Sequence, residues 1–219
     1  THRGCPYKCT FCGSPNDVEK YKNSELKQIF YRVFSLKKIQ EDLRHYVKKY
    51  KPEYIYFTAD TFLSISKKEL DEFCDIYKEF KLPFFCESRP ETLSDYKVKR
   101  LKEVGLDRFA VGIEHGNEKY RANMLKRHYT NESLIKSLKH LSNNNVSFSV
   151  NAIIGFPDET YDLAMDTVEL CRQIEGWDDC KSSIFQPYYG AALRDYCVKK
   201  GYISDDLICL IILYLISIK

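Results

Sequence analysis

The sequence predicts an α/β fold in which parallel strands alternate with helices and curl into a partial (βα)6, TIM-like barrel whose first strand is truncated. Three observations carry this. Short runs of aromatic and β-branched residues alternate with segments of helical period along most of the chain. No tight-turn signal joins consecutive runs into a hairpin, and parallel strands need crossover connections of the kind these helices supply. Polar residues cluster where the apolar runs end, the position at which parallel α/β sheets bind ligands.

A polar stretch over 14–27 has no clear period. The spacing predicts a first helix over 35–50, where Leu36, Ile39, Leu43, Val47 and Tyr50 recur at steps of three and four. Lys51-Pro52 ends it, since proline cannot continue a helix. Residues 54–58, Tyr-Ile-Tyr-Phe-Thr, read as a strand. A second helix over 66–80 opens on a capping-box pattern, Ser66 with Glu69, and carries the stripe Leu70, Phe73, Cys74, Tyr77, Phe80. Residues 83–87 form the next strand. Ser94 caps a third helix with Val98, Leu101 and Val104 inward, closed by Gly105. A strand follows over 108–113. Thr130 or Asn131 starts a fourth helix with Leu134, Ile135, Leu138 and Leu141 facing in, and Asn143-Asn144-Asn145 turns the chain. The strand over 146–154 breaks at Gly155-Phe156-Pro157-Asp158. A fifth helix places Leu163, Thr167, Val168, Cys171 and Ile174 inward. Residues 183–186 make a strand, and 191–200 a helix closed by Gly201. Five strands are visible. A sixth is expected just before Thr1, because the loop containing Cys5 needs a strand to project from.

The 219 residues suit one domain, and 44% hydrophobic with 30% charged residues is an ordinary globular balance. Lys+Arg 34 against Asp+Glu 31 gives a formal charge of +3, too even to argue for nucleic acid. Six of nine cysteines stand singly (Cys74, Cys86, Cys171, Cys180, Cys197, Cys209), in a chain too long for a disulfide-dependent mini-domain. They read as small core hydrophobes, and reduced thiols with no signal peptide lead us to expect a cytoplasmic protein. The chain opens at Thr1 without methionine and ends in an apolar run over 207–218, short of the roughly 20 residues a membrane span needs. The expected organisation is a core domain over 1–201, truncated at its N-terminus. Residues 202–219 are expected to be an apolar tail that begins a further region, its run a core helix or strand cut from its partners.

Three cysteines, Cys5, Cys9 and Cys12, are spaced C-x3-C-x2-C. Three thiolates on one loop can converge on one metal centre, and soft sulfur selects zinc, copper(I) or iron–sulfur clusters. Clusters normally take four cysteines, so a cube held by three keeps one iron open for a small molecule. Zinc with His2 as a fourth ligand, and a structural or electron-carrying cluster completed by Cys86, are the competing readings. The strand exits deliver Thr58-Ala59-Asp60, Glu87-Ser88-Arg89, Gly112 to Asn117, Asn151 and Gln186 to Gly190 to the same mouth. Asn151 lies inside an apolar run and must find partners if buried, either in the core or on a ligand. Glu87 and Glu114 are ligand groups or solvated carboxylates. Arg127 is a surface arginine unless a carboxylate takes its planar fork, and His115 and His128 read as ordinary loop histidines.

These residues resemble the radical S-adenosylmethionine (radical SAM) superfamily. Arg3-Gly4-Cys5-Pro6-Tyr7-Lys8-Cys9-Thr10-Phe11-Cys12 is similar to its signature, which holds a 4Fe–4S cluster whose open iron is chelated by S-adenosylmethionine. The resemblance covers roughly 1–201 and implies the following roles. Cys5, Cys9 and Cys12 are the metal ligands. Gly112-Ile113-Glu114-His115-Gly116 matches a motif whose polar residue reaches the ribose. Arg127 pairs with the cofactor carboxylate, and Asn151 supplies a polar contact. Ile153-Ile154-Gly155-Phe156-Pro157 lies beside the adenine, and Glu87 stands where some members use a carboxylate. A Gly-Gly-Glu type motif is not present; Thr58-Ala59-Asp60-Thr61 stands in its place, with Asp60 as the acceptor for the amino group. Arg89-Pro90-Glu91-Thr92-Leu93 and the segment from Pro187 to Asp195 resemble the branch often fused to a cobalamin-binding domain, which would precede Thr1. The resemblance implies a reductant such as flavodoxin or ferredoxin and an unidentified substrate. Related activities with the same core are methylthiotransferases and coproporphyrinogen-dehydrogenase-like enzymes, and a binding module for zinc or an iron–sulfur cluster is the non-enzymatic alternative.

Overall fold

A computed structural model describes residues 1–25, 29–208 and 216–218. In chain order the elements are β1 (His2–Arg3), α1 (Ser14–Lys22), β2 (Arg32–Val33), α2 (Leu36–Tyr50), β3 (Ile55–Tyr56), α3 (Lys67–Tyr77), β4 (Phe84–Ser88), α4 (Asp95–Glu103), β5 (Leu106–Glu114), α5 (Glu118–Met124), α6 (Asn131–Asn143), β6 (Ser147–Ile154), α7 (Tyr161–Gln173), β7 (Asp179–Ile184), α8 (Ala192–Lys199) and β8 (Ile216–Ile218). The sheet runs β3-β4-β5-β6-β7-β8 in strict sequence order. Its first five strands are parallel and form a curled half-barrel, and β8 closes the edge antiparallel to β7. The α/β, partial-barrel expectation holds, with five parallel strands among the described residues.

The helices form where capping and apolar spacing coincide. Ser35, Ser66, Ser94, Thr130 and Thr160 each accept a backbone N–H from the first turn of the helix they precede. At Ser66 the reciprocal half of the capping box is present, the Glu69 carboxylate accepting from the Ser66 N–H. Alternation along the strands separates two environments. Phe84 and Cys86 of β4, Phe109, Val111 and Ile113 of β5, and Phe148 and Val150 of β6 are buried in one core cluster with the helices. Glu87, Ala110, Gly112, Glu114, Asn151 and Ile153 instead line a cavity on the concave side. Five rings, Phe57, Phe62, Phe73, Tyr77 and Phe84, pack at centroid distances of 4.9–5.6 Å and lock α3 onto β4.

Several expectations are corrected. Cys86 points into the helix-side core with its neighbour Phe84, so it is not a fourth cluster ligand; its neighbour Glu87 has the inward position. Val168 is exposed and Leu170 takes the buried place on α7. β7 starts at Asp179, four residues before the expected strand, because its polar residues line the cavity and conceal its period. The stretch 14–27, expected to be irregular, contains α1, and the unexpected α5 follows β5. The residues directly before the cysteine loop, His2–Arg3, pair antiparallel with Arg32–Val33 as a separate ribbon. Of the apolar tail, Ile216–Ile218 is a strand; residues 209–215, and with them Cys209, lie outside the described residues.

The aromatic cluster should dominate stability. Phe73→Ala is expected to cost about 3–5 kcal/mol in urea unfolding, whereas Tyr46→Ala on the exposed face of α2 should stay within about 0.5 kcal/mol.

Candidate active site

The loop after β1 carries all three signature cysteines to the open ends of the parallel strands. It is fastened on both sides: Thr10 N–H donates to Leu125 O at 3.4 Å, and Thr10 O accepts from Leu193 N–H at 2.9 Å. The Phe11 ring meets Phe156 edge-on, 5.9 Å between centroids. Cys5, Cys9 and Cys12 line one cavity of about 470 Å³ with Asp60, Glu87, Glu114, Arg127 and Asn151, a volume suited to a small ligand. Each sulfur has its own neighbour. Cys5 Sγ lies 3.3 Å from Thr61 Oγ1, Cys12 Sγ accepts from Ser14 N–H at 3.4 Å, and Cys9 Sγ accepts from Arg89 Nη1 at 2.9 Å. Burial pushes the Cys12 thiol above its ordinary range, and the other two sulfurs add to that shift.

The end of β5 is built around a carboxylate. Between Gly112 and Glu114 the pairing with β6 slips by one residue, and Glu114 adopts φ 63°. This bulge re-aims the side chain into the cavity. There Glu114 Oε1 meets Arg127 Nη2 at 3.0 Å, while Arg127 Nη1 donates to Gly112 O at 2.6 Å. Gly112 leaves the necessary space, since a Cβ there would lie 2.3 Å from the Glu114 carboxylate. Both partners are buried. Burial pushes the Glu114 carboxyl up, opposed by Arg127 and Arg89; burial works against the Arg127 charge, but Glu114 together with Tyr129 and Cys9 outweighs it and holds the guanidinium above its ordinary value. Arg127 is therefore a buried arginine whose fork is taken by a protein carboxylate.

Glu87 has no such partner among the described residues, and burial, then Asp60 and Glu114, push its carboxyl up. Asn151 lines the cavity, and its buried Oδ1 has no hydrogen-bond partner among the described residues. Gly155 does not line the cavity. It takes φ +76° at the exit of β6, where its N–H and that of Phe156 donate to the Glu159 carboxylate. Glu159 also lies 3.0 Å from Nε2 of His115, which is completely buried and stacked on Tyr120. His115 is thus a bridge between the β5 and β6 exits, a role its loop position did not reveal. His2 is not a zinc ligand beside the thiols: it packs edge-on against Tyr31 outside the cavity. Among the described residues no three His, Cys, Asp or Glu are grouped to hold a single metal ion. One zinc requires all its sulfurs within about 2.3 Å of the same ion, whereas a cube distributes thiolates over separate irons.

The family model of the radical SAM superfamily matches residues 1–171. The chain belongs to that superfamily. Radical SAM proteins are enzymes whose cofactors are a 4Fe–4S cluster and S-adenosylmethionine. An uncharacterized methyltransferase of Pyrococcus horikoshii is 27% identical over 199 residues, covering 90% of this chain and 41% of the relative. A tRNA-2-methylthio-N(6)-dimethylallyladenosine synthase of Halalkalibacterium halodurans is 24% identical over 201 residues, 85% of this chain and 35% of the relative. The chain thus spans about two fifths of the length of these relatives. In fold it is similar to the radical S-adenosylmethionine methyltransferase TsrM from Kitasatospora setae, solved with cobalamin and a [4Fe-4S] cluster bound. The TM-score is 0.69 at 15% identity, over 90% of this chain and 39% of that one. The residues present fit the radical SAM cofactors: three soft sulfur donors, uncompensated carboxylates and the orphaned Asn151 oxygen share one cavity. No helix of the described residues is long and apolar enough to cross a membrane.

The raised Glu87 carboxyl has a stability consequence. Folding favours its protonated form, so its contribution is fully present below its unfolded value of about 4.3 and is lost as pH rises through the raised folded value. Glu87→Gln should raise the melting temperature of the cofactor-free chain at pH 7, and the gain should vanish near pH 4. Thermal melts of both proteins across this range check it.

Proposed function

We propose that residues 1–201 form the core domain of a radical SAM enzyme. Cys5, Cys9 and Cys12 hold a 4Fe–4S cluster by three of its irons, and the fourth is left to S-adenosylmethionine. The observation that carries this reading is the convergence of the three thiols with Glu87, Glu114, Arg127 and Asn151 on one cavity at the strand exits. When bound and reduced, the cofactors supply a 5′-deoxyadenosyl radical by cleavage of the sulfonium carbon–sulfur bond. The chain's residues hold and shield. Asp60 and Glu87 would accept from the amino group, Glu114 and Asn151 would contact the ribose, and Arg127, which holds Glu114 in place, would face the cofactor carboxylate. Glu159 and His115 fix the Gly155-Phe156-Pro157 turn on the adenine side. Phe11, Ile153, Ile184 and Phe185 give the cavity an apolar wall that keeps water from a reactive radical.

Methyl transfer is the second reading, favoured by the methyltransferase names among the relatives and by cobalamin in a protein of the same fold. In this reading cobalamin is brought by a domain outside this chain. A tRNA methylthiotransferase-like or coproporphyrinogen-dehydrogenase-like reaction would use the same core with other appended regions. A flavodoxin or ferredoxin delivers the electron in the cytoplasm.

In chain reconstituted anaerobically with iron and sulfide, Cys9→Ala should lose the brown cluster absorbance and reduce deoxyadenosine release to background. Cys197→Ala, on the buried face of α8 and outside the cavity lining, should retain both. Undiminished cleavage by the Cys9 variant would sink the assignment.

A further inference from the structure

The three signature sulfurs are not electrostatically equivalent. Cys5 and Cys12 face neutral groups, the Thr61 hydroxyl and the Ser14 N–H. Cys9 alone accepts from a charged one, Arg89 Nη1 at 2.9 Å. Arg89 is only 5% exposed. Its guanidinium carries a permanent positive charge, and burying a charge is costly unless it is paired. The pairing is incomplete in a directed way. Glu91 takes the Nε edge, at 2.7 Å from Oε1, together with Nη2. The Tyr7 ring covers the face, 3.8 Å from the guanidinium carbon. Nη1 is left for sulfur. Tyr7 and Cys9 belong to the same loop, while Arg89 and Glu91 belong to the exit of β4, so the sheet itself holds the charge against the loop.

We propose that Arg89 is a positioning residue that raises the reduction potential of the cluster through Cys9, with Glu91 as the counter-charge that limits the rise. The inference rests on the cluster assignment above. Reduction adds one negative charge to the cluster. A fixed positive charge hydrogen-bonded to a ligand sulfur stabilises the reduced form more than the oxidised one, and hydrogen bonds to the sulfurs together with local charge are among the known determinants of such potentials. Low polarity around the buried guanidinium strengthens the effect. The Glu91 carboxylate acts in the opposite sense. Its side chain is partly exposed, so removing its charge disturbs packing little. A merely structural role for Arg89, clamping the loop through Tyr7, predicts no dependence on Glu91.

The test is a redox titration of the anaerobically reconstituted chain, followed by the cluster's visible absorbance, for the parent, Arg89→Met, Arg89→Lys and Glu91→Gln. Iron content and melting temperature are measured alongside. At the potential where half the parent cluster is reduced, Arg89→Met should show at least a tenfold lower ratio of reduced to oxidised cluster, equivalent to about 59 mV for a one-electron couple. Arg89→Lys should fall between Arg89→Met and the parent. Glu91→Gln should shift the opposite way, towards easier reduction. Should Arg89→Met fail to retain iron, Glu91→Gln decides: an upward shift supports the inference and an unchanged potential overturns it. Unchanged potentials in iron-replete variants overturn it alone, leaving the proposed function standing. A parent chain that takes up no cluster overturns both.

Discussion

The buried pair of Glu114 and Arg127 constrains the exit of β5, and the geometry of the cavity follows from it. An ion pair in an apolar surrounding is worth keeping only when its geometry is good and its remaining donors are used. Here a glycine at 112 makes room for the carboxylate, the carbonyl of the same glycine takes a second donor of Arg127, and the Tyr129 hydroxyl stands beside it. The strand bends for it, with Glu114 at φ 63° and one residue extra relative to β6. A non-glycine residue in the left-handed region costs of order 1–3 kcal/mol and persists only where its surroundings enforce it. The enforcing groups are the arginine fork and the bulge. The Phe11 ring then lies under the Arg127 guanidinium, 5.5 Å from its carbon, so the cysteine loop leans on the same pair.

Two faces of one sheet divide the work. On the helix side β4, β5 and β6 present Phe84, Phe109, Val111, Ile113, Phe148 and Val150, which supply the hydrophobic stabilisation. On the concave side the middle strand presents Ala110 and Gly112, too small to fill the interior. Larger residues there would turn the half-barrel into a packed core. The cavity is therefore a consequence of side-chain volume at two positions, and the polar residues at the strand exits become accessible because of it.

The architecture was legible wherever burial and capping act together. The helices after Ser35, Ser66, Ser94 and Thr130 carry both a capping side chain and an apolar stripe, and the start of each was found within a residue, although the second ends at Tyr77, three residues before the expected Phe80. Helix α1 buries none of its residues, so no stripe exists to be read, and only Pro15 in its first turn marked it. Helix α5 is a seven-residue turn capped by Asn117, too short for periodicity. β7 faces a polar cavity, which erases the alternation by which strands are recognised. At the site, residue types and strand exits sufficed to bring Cys5, Cys9, Cys12, Asp60, Glu87, Glu114 and Asn151 together, and only the family resemblance added Arg127, which otherwise reads as a surface arginine. Partner choice was not legible. That Glu114 would take Arg127, that His115 would bridge to Glu159, and that Arg89 would reach Cys9 depend on side-chain directions set by the bulge and by loop packing.

The charge distribution in the cavity argues for what the site is shaped to accept. Arg127 is neutralised by Glu114, and Arg89 by Glu91 and the sulfur of Cys9. Asp60 and Glu87 are the carboxylates left over among the described residues, and Asp60 adds to the burial that pushes the Glu87 carboxyl up. Repulsion of this kind is relieved by a bound cation, and the relief is binding energy. In the proposed function the ligand carries two positive centres, an ammonium and a sulfonium, and brings a carboxylate with them. A cavity with surplus carboxylates on the cysteine side and a buried arginine at its edge matches that distribution. The same surplus would repel an anionic ligand approaching the three cysteines directly, so in the proposed function Asp60 and Glu87 would select by charge at that mouth.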